Sequence, residues 1–144
     1  MPDLVQTSLN LGIAKLGDRF SAVFSVRSSV NAEKVELLEQ LKKLAKLHDG
    51  GYSEMGDYPA WEYKKESALR DTMVKIYTDL YGKEPKVLAL HAGLECGLFS
   101  EKVEGLDCIS IGPNMQDIHT VKERISISSI ARTWDFIKAV LAYK

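Results

Sequence analysis

The sequence is short of several things, and each shortage removes a class of function. Its two cysteines, Cys96 and Cys108, are too few for a disulfide framework, which makes a reduced, cytoplasmic setting the expectation. Neither sign of charge dominates: 19 basic and 20 acidic residues leave a net charge of -1. That excludes a broad basic footprint for nucleic acid and argues against an anionic-membrane binder. No run of about 18 apolar residues is present, so no membrane-spanning helix is expected. Met1-Pro2-Asp3-Leu4 has neither a basic region nor an apolar core, so a signal peptide is not expected either. Internal repeats and low-complexity tracts are also missing. What remains is a globular composition, 45% apolar and 27% charged over 144 residues, enough for one ordinary domain or two small ones.

Patterning divides the chain near residue 66. Leu9, Leu11 and Ile13 alternate with polar or small residues, as do Phe20, Ala22, Phe24 and Val26, and the pair Gly17-Asp18 lies between them. Residues 8–26 therefore read as a β-hairpin closed by a type II′ turn. Asn31 reads as the cap of a helix whose apolar face carries Val35, Leu38, Leu41 and Ala45, ending at Gly50-Gly51. Residues 58–65, with Trp61 and Tyr63, read as a third strand, confined by Pro59 to an edge. Ser67 caps a second helix, with Leu69, Met73, Ile76, Tyr77 and Leu80 at a 3.6-residue period and Gly82 as its stop. Two short apolar runs, 86–91 and 106–111, read as buried strands. Residues 92–105 and 112–122 read as loops. A last helix near 128–142 is expected to turn Ile130, Ala131, Trp134, Ile137 and Leu141 inward, with Trp61 and Trp134 at core spacing. The expected order is β-β-α-β, an antiparallel sheet with a helix, then α-β-β-α. The class is α+β with an α/β-like second half, and neither half looks complete.

Three places carry side chains suited to chemistry. The segment His91-Ala92-Gly93-Leu94-Glu95-Cys96-Gly97 follows a strand end, where ligands of open α/β sheets sit. His91, Glu95 and Cys96 there are potential metal donors or proton carriers, and the glycines allow close backbone approach; the same pattern also suits a plain strand-to-loop turn. The second place, Gly112 to Thr120 followed by Glu123, presents His119 as a metal ligand, a general base or an ordinary surface histidine. With Asp117 and Glu123 it completes the pool of donors, but neither Cys-x-x-Cys nor His-Glu-x-x-His spacing occurs. The third is Arg27 at the end of the second hairpin strand, either a solvated arginine or a bidentate clamp for a carboxylate.

At HAGLECG and GPNMQDIHT-x-x-ER, and more loosely from QTSLNLG through SVRSS to ISISSIARTWDF, the sequence resembles the C-terminal part of an aminoacyl-histidine dipeptidase, within the co-catalytic zinc peptidases. The resemblance implies a partial lid and dimerisation domain over 1–66 and the closing segment of a zinc-peptidase catalytic domain over 67–144. It implies hydrolysis of dipeptides such as Xaa-His by a zinc-activated water, with two zinc ions in the parent enzyme and a homodimer formed through the lid. His119 matches the family's C-terminal zinc-ligand histidine, and Arg27 the lid arginine that grips the substrate carboxylate. Gly93 matches a glycine that contacts substrate; His91 and Glu95 share its segment, and Glu123 matches an acid that supports the loop. The family's His-x-Asp motif, bridging aspartate and Glu-Glu pair, which supplies the general base, have no counterpart here, and Val121 stands where many relatives have proline. These residues alone are therefore expected to be inactive and not to retain zinc. The alternative is a free-standing, non-catalytic dimerisation module derived from such an enzyme.

Overall fold

The computed structural model describes residues 5–90 and 94–143. Its class is mixed α+β as expected, with two small antiparallel sheets and four helices among the described residues. The chain forms two compact units, Met1–Lys65 with Leu88–Leu106, and Glu66–Val87 with Asp107–Lys144.

In the first unit β1 (Thr7–Leu16) and β2 (Phe20–Ser28) form the expected hairpin. The turn differs. Leu16 pairs with Phe20, so Gly17, Asp18 and Arg19 make a three-residue link, and Gly17 does not have the positive φ that a type II′ turn demands. The register also shifts between Leu11 and Ile13, where Gly12 forms a bulge and moves the alternation of β1 by one. The helix α1 (Asn31–Leu47) starts one residue earlier than expected. Val30 holds the cap position, and Asn31 instead accepts the Ala60 amide on Oδ1 at 2.8 Å. Gln6 and Thr7 donate to Glu33 in the first turn, which ties β1 to the start of α1.

Residues 58–65 do not form the expected strand. Pro59 has no N–H to offer, and neighbouring main-chain groups are satisfied by side chains: Asn31 takes the Ala60 amide and Lys34 donates to the Tyr58 carbonyl at 2.5 Å. Lys34 also pairs with Asp57 at 2.7 Å. The segment 92–105, read as a loop, instead contains α3 (Glu95–Lys102). Gly97 explains how this short helix packs. It is buried, and a Cβ there would lie 2.9 Å from the Pro59 carbonyl oxygen and 3.5 Å from Trp61 Cβ. Gly97→Ala gains helix propensity but must push backbone apart, and the clash is expected to win by about 1–2 kcal/mol. A lowered denaturation midpoint checks this.

Tyr52 lies beyond α1 with its hydroxyl sealed from solvent. Burial, then the Glu54 and Glu39 carboxylates, pushes its pKa from 10.0 up to about 12. The raised value means that the neutral phenol's contribution to stability is complete below pH 10 and is lost as pH rises towards 12. In an absorbance titration, Tyr52→Phe is expected to remove the last phenol to ionise.

The second unit is built on two helices. Ser67 caps α2 (Ala68–Tyr81) as expected, accepting the Arg70 amide at 3.0 Å, and Gly82 closes it at φ 66. Ser67 in turn donates to both Asp107 carboxylate oxygens, and Oδ2 also accepts the Leu69 amide at 3.1 Å. Met73 and Ile76 of α2 meet Phe136 of α4 (Ile127–Ala142) in the core, with Tyr77 edge-on to Phe136 at 5.4 Å. The face of α4 that packs is therefore not the expected one. Ser129 and Phe136 are buried, whereas Ile130, Ala131, Trp134 and Leu141 are exposed and only Ile137 is half-buried. Both stripes are apolar, and the choice between them depends on α2, which periodicity within α4 cannot reveal.

The apolar runs 86–90 and 106–111 form neither helix nor ladder among the described residues. A strand exists only through its neighbours, and these runs meet none here.

Candidate functional site

Residues 112–126 fold into something more ordered than a loop. Met115–Gln116 (β3) pairs with Arg124–Ile125 (β4), and the connection 117–123 carries His119. The base of this small hairpin is tied to the start of α4. Ser129 Oγ accepts the Asn114 amide at 2.9 Å and donates to the Ser126 carbonyl at 2.7 Å, while the Ser126 amide donates to the Asn114 carbonyl at 3.0 Å.

The tip is strained. Asp117 (φ 52) and His119 (φ 66) are both in the left-handed region without being glycine. Each such residue costs on the order of 1–2 kcal/mol, and strain of this kind collects at functional sites. Side chains hold it in place. Glu123 accepts the His119 amide at 2.8 Å. Arg124 reaches two acceptors across the hairpin, Gln116 Oε1 at 2.7 Å and Asp117 Oδ2 at 3.1 Å. Thr120 Oγ1 donates to the Asp117 carbonyl at 2.7 Å and accepts the Lys122 amide at 3.1 Å. The result is a fixed backbone that presents one solvent-exposed imidazole.

Of the donor pool, Asp117 and Glu123 lie beside His119, and both carboxylates are engaged in holding the turn. The chemistry of the His119 site thus fits one imidazole donor to a zinc ion. Among the described residues no three histidine, cysteine, aspartate or glutamate side chains gather into a group able to hold a metal. His91 and Gly93 lie outside the described residues. Glu95 opens α3 and is exposed, where a carboxylate also favours the helix dipole. Arg27 is exposed on β2 opposite Ser8. Arg27 and Glu95 belong to the first unit and His119 to the second. Sequence reasoning passed over Arg124 and Ser129, which hold the hairpin. The signal lay in Gln116 and Arg124 facing one another across the connection, visible only once the strands are paired.

No family profile matches the chain. Among curated proteins it is similar to the cytosol non-specific dipeptidase of Escherichia coli (strain K12), 31% identical over 139 residues, which is 96% of this chain and 29% of that protein. Among solved structures it is similar to the aminoacylhistidine dipeptidase from Vibrio alginolyticus, with a TM-score of 0.82 and 29% identity over 98% of this chain and 29% of that one. The chain thus spans less than a third of the length of either relative. No described helix is long and apolar enough to cross a membrane.

Proposed function

We propose that this chain, whose sequence and fold match one stretch of the aminoacyl-histidine dipeptidase family, is part of a zinc metallodipeptidase that hydrolyses dipeptides such as Xaa-His in the cytoplasm. The observation that carries the reading is the left-handed, solvent-exposed His119, whose amide Glu123 accepts in a turn that Arg124 braces through Gln116 and Asp117. In this reading His119 is one zinc ligand, and the remaining ligands and the general base come from polypeptide that these residues do not include. Bound zinc supplies an acidified water and a polarised scissile carbonyl. Arg27 orients the substrate by gripping its C-terminal carboxylate through two parallel hydrogen bonds. Gly93 offers main-chain contact to the substrate, with His91 and Glu95 beside it. The enzyme is a homodimer joined through the lid, consistent with a hairpin whose outer edges meet no third strand among the described residues.

The same open edges favour a second reading, a non-catalytic dimerisation module. Zinc titration with a dipeptide assay separates the two. The 144 residues alone are expected to show neither stoichiometric tight zinc binding nor turnover; joined to the rest of a dipeptidase they are expected to support both. Turnover by the chain alone would overturn the division of ligands, and silence of the joined protein would favour the module.

A further inference from the structure

We infer that residues 58–62 brace the end of β2 against α3, and that Asn31 and Gly97, which meet the brace from α1 and from α3, are positioning residues for the substrate's C-terminal carboxylate. The inference deepens the dipeptidase reading and rests on it. That reading gives Arg27 the carboxylate and gives the segment running into α3 a main-chain contact with the same substrate. Arg27, residues 58–62 and α3 all belong to the first unit.

Little slack separates Arg27 from α1. The two residues after it, Ser28 and Ser29, are 4% and 6% exposed although both are polar. Ser28 Oγ accepts the Val30 amide at 3.0 Å and donates to the Val30 carbonyl at 2.9 Å, and the Ser29 amide donates to the Gln6 carbonyl at 2.9 Å. Buried polar groups satisfied in this way are costly to free. The backbone of Arg27 therefore moves with the start of α1.

The brace is anchored at Asn31. An asparagine beside a helix start commonly serves as its cap, but here Val30 occupies the cap position without a side-chain bond. Asn31 Oδ1 instead accepts the Ala60 amide at 2.8 Å, and the Asn31 amide donates to Glu62 Oε1 at 3.4 Å. One turn further along α1, Lys34 donates to the Tyr58 carbonyl and pairs with Asp57. Pro59, between these anchors, fixes its own φ and stiffens the segment. The brace then meets α3 at Gly97. A Cβ there would lie 2.9 Å from the Pro59 carbonyl oxygen, 3.5 Å from Trp61 Cβ and 3.7 Å from the Ala60 carbonyl carbon. Ala60 is thus held by Asn31 through its amide and approached by Gly97 at its carbonyl carbon. Backbone meets backbone at this contact, so a shift of the brace is passed on to α3 rather than absorbed.

The consequence is one of distance. A bidentate grip on a carboxylate tolerates little displacement, and misplacing a substrate by about 1 Å costs up to about 100-fold in rate. A methyl group on Gly97 has to retreat by about 0.5 Å to reach an ordinary contact with the Pro59 oxygen. A dipeptide amide offers Arg27 no carboxylate, so its hydrolysis is blind to this distance. The ratio of kcat/KM for a dipeptide to that for its amide therefore reads the brace. Loss of folded protein scales both substrates alike and leaves the ratio unmoved.

The test replaces the matched stretch of the Escherichia coli dipeptidase with these 144 residues and measures that ratio in the chimera. Asn31→Ala is expected to lower it about tenfold, mainly by raising KM for the dipeptide with kcat little changed. Asn31→Asp keeps an acceptor for the Ala60 amide and is expected to keep the ratio, while Gly97→Ala is expected to lower it. Beside the kinetics, spin labels on non-natural residues at the exposed positions Ser25 and Lys102 report the spacing of β2 and α3 in the 144-residue chain itself. Their distance distribution is expected to broaden with Asn31→Ala and to stay narrow with Asn31→Asp. An unchanged ratio in both Asn31→Ala and Gly97→Ala overturns the inference, as does an equal loss on the two substrates. An active chimera with unchanged label distances is a failure of the inference alone. Broadened distances with a chimera that hydrolyses neither substrate remove the carboxylate role as well, through failure of the dipeptidase reading, and leave only the brace.

Discussion

Phe136→Ala is expected to cost about 3–5 kcal/mol and to unfold the unit built on α2 and α4. The ring is 7% exposed and, among the described residues, shares the core with two other buried apolar side chains, Met73 and Ile76. Tyr77 meets it edge-on and also meets Tyr81 edge-on, with ring centroids 4.7 Å apart. Removing the ring deletes its burial, leaves a cavity and frees the Tyr77 edge, in a unit so small that a loss of that size approaches its whole stability. Trp134, two residues away, has a larger side chain and faces solvent in this chain. Trp134→Ala is therefore expected to change stability by less than about 0.5 kcal/mol. Denaturant titration of both variants, followed by circular dichroism, checks the pair. Equal losses would mean that the core has been placed on the wrong side of α4.

The second large effect is at His119, and its two halves have opposite signs. In the dipeptidase-length chimera, His119→Gly removes the imidazole, and dipeptide hydrolysis is expected to fall by at least about 100-fold, more than a supporting residue would cost. The same substitution relieves a left-handed backbone at φ 66 and is expected to stabilise the hairpin by up to about 1 kcal/mol. Glu123→Ala should show the inverse pattern in part. It takes away the acceptor of the His119 amide, so stability falls and hydrolysis is lost only as far as the turn loosens. Zinc content, kcat and melting temperature measured together separate these outcomes. A His119→Gly enzyme with full activity would end the assignment of the imidazole.

What the sequence makes legible follows the range of the interaction concerned. The hairpin, α1, and α2 with its Ser67 cap and Gly82 stop depend on contacts within a few residues, and periodicity finds them. The type II′ turn fails because Arg19 joins the link, a matter of one residue that composition does not fix. The short helix α3 is hidden by its glycine, which is there to let the helix approach Pro59 and Trp61 rather than to make a loop. The expected strands 58–65, 86–91 and 106–111 share another cause: extended, apolar sequence describes a residue's preference, while a strand also needs a partner to bond with. The face of α4 belongs to the same class, since α2 selects it. At the candidate site the imidazole is legible from the motif, but its support is not. Arg124 acts across a hairpin too short for any alternation to announce.

The bulge at Gly12 has a consequence for any strand that comes to lie beside the first hairpin. Before it, Leu11 stands opposite Phe24; after it, Ile13 stands opposite Val23, so the two halves of β1 present their hydrogen-bonding groups out of step. A regular strand adding along β1 can follow one half but loses phase on the other. Unselective growth into stacked fibrils is discouraged by that interruption, while an incomer with a matching irregularity of its own can run the whole length.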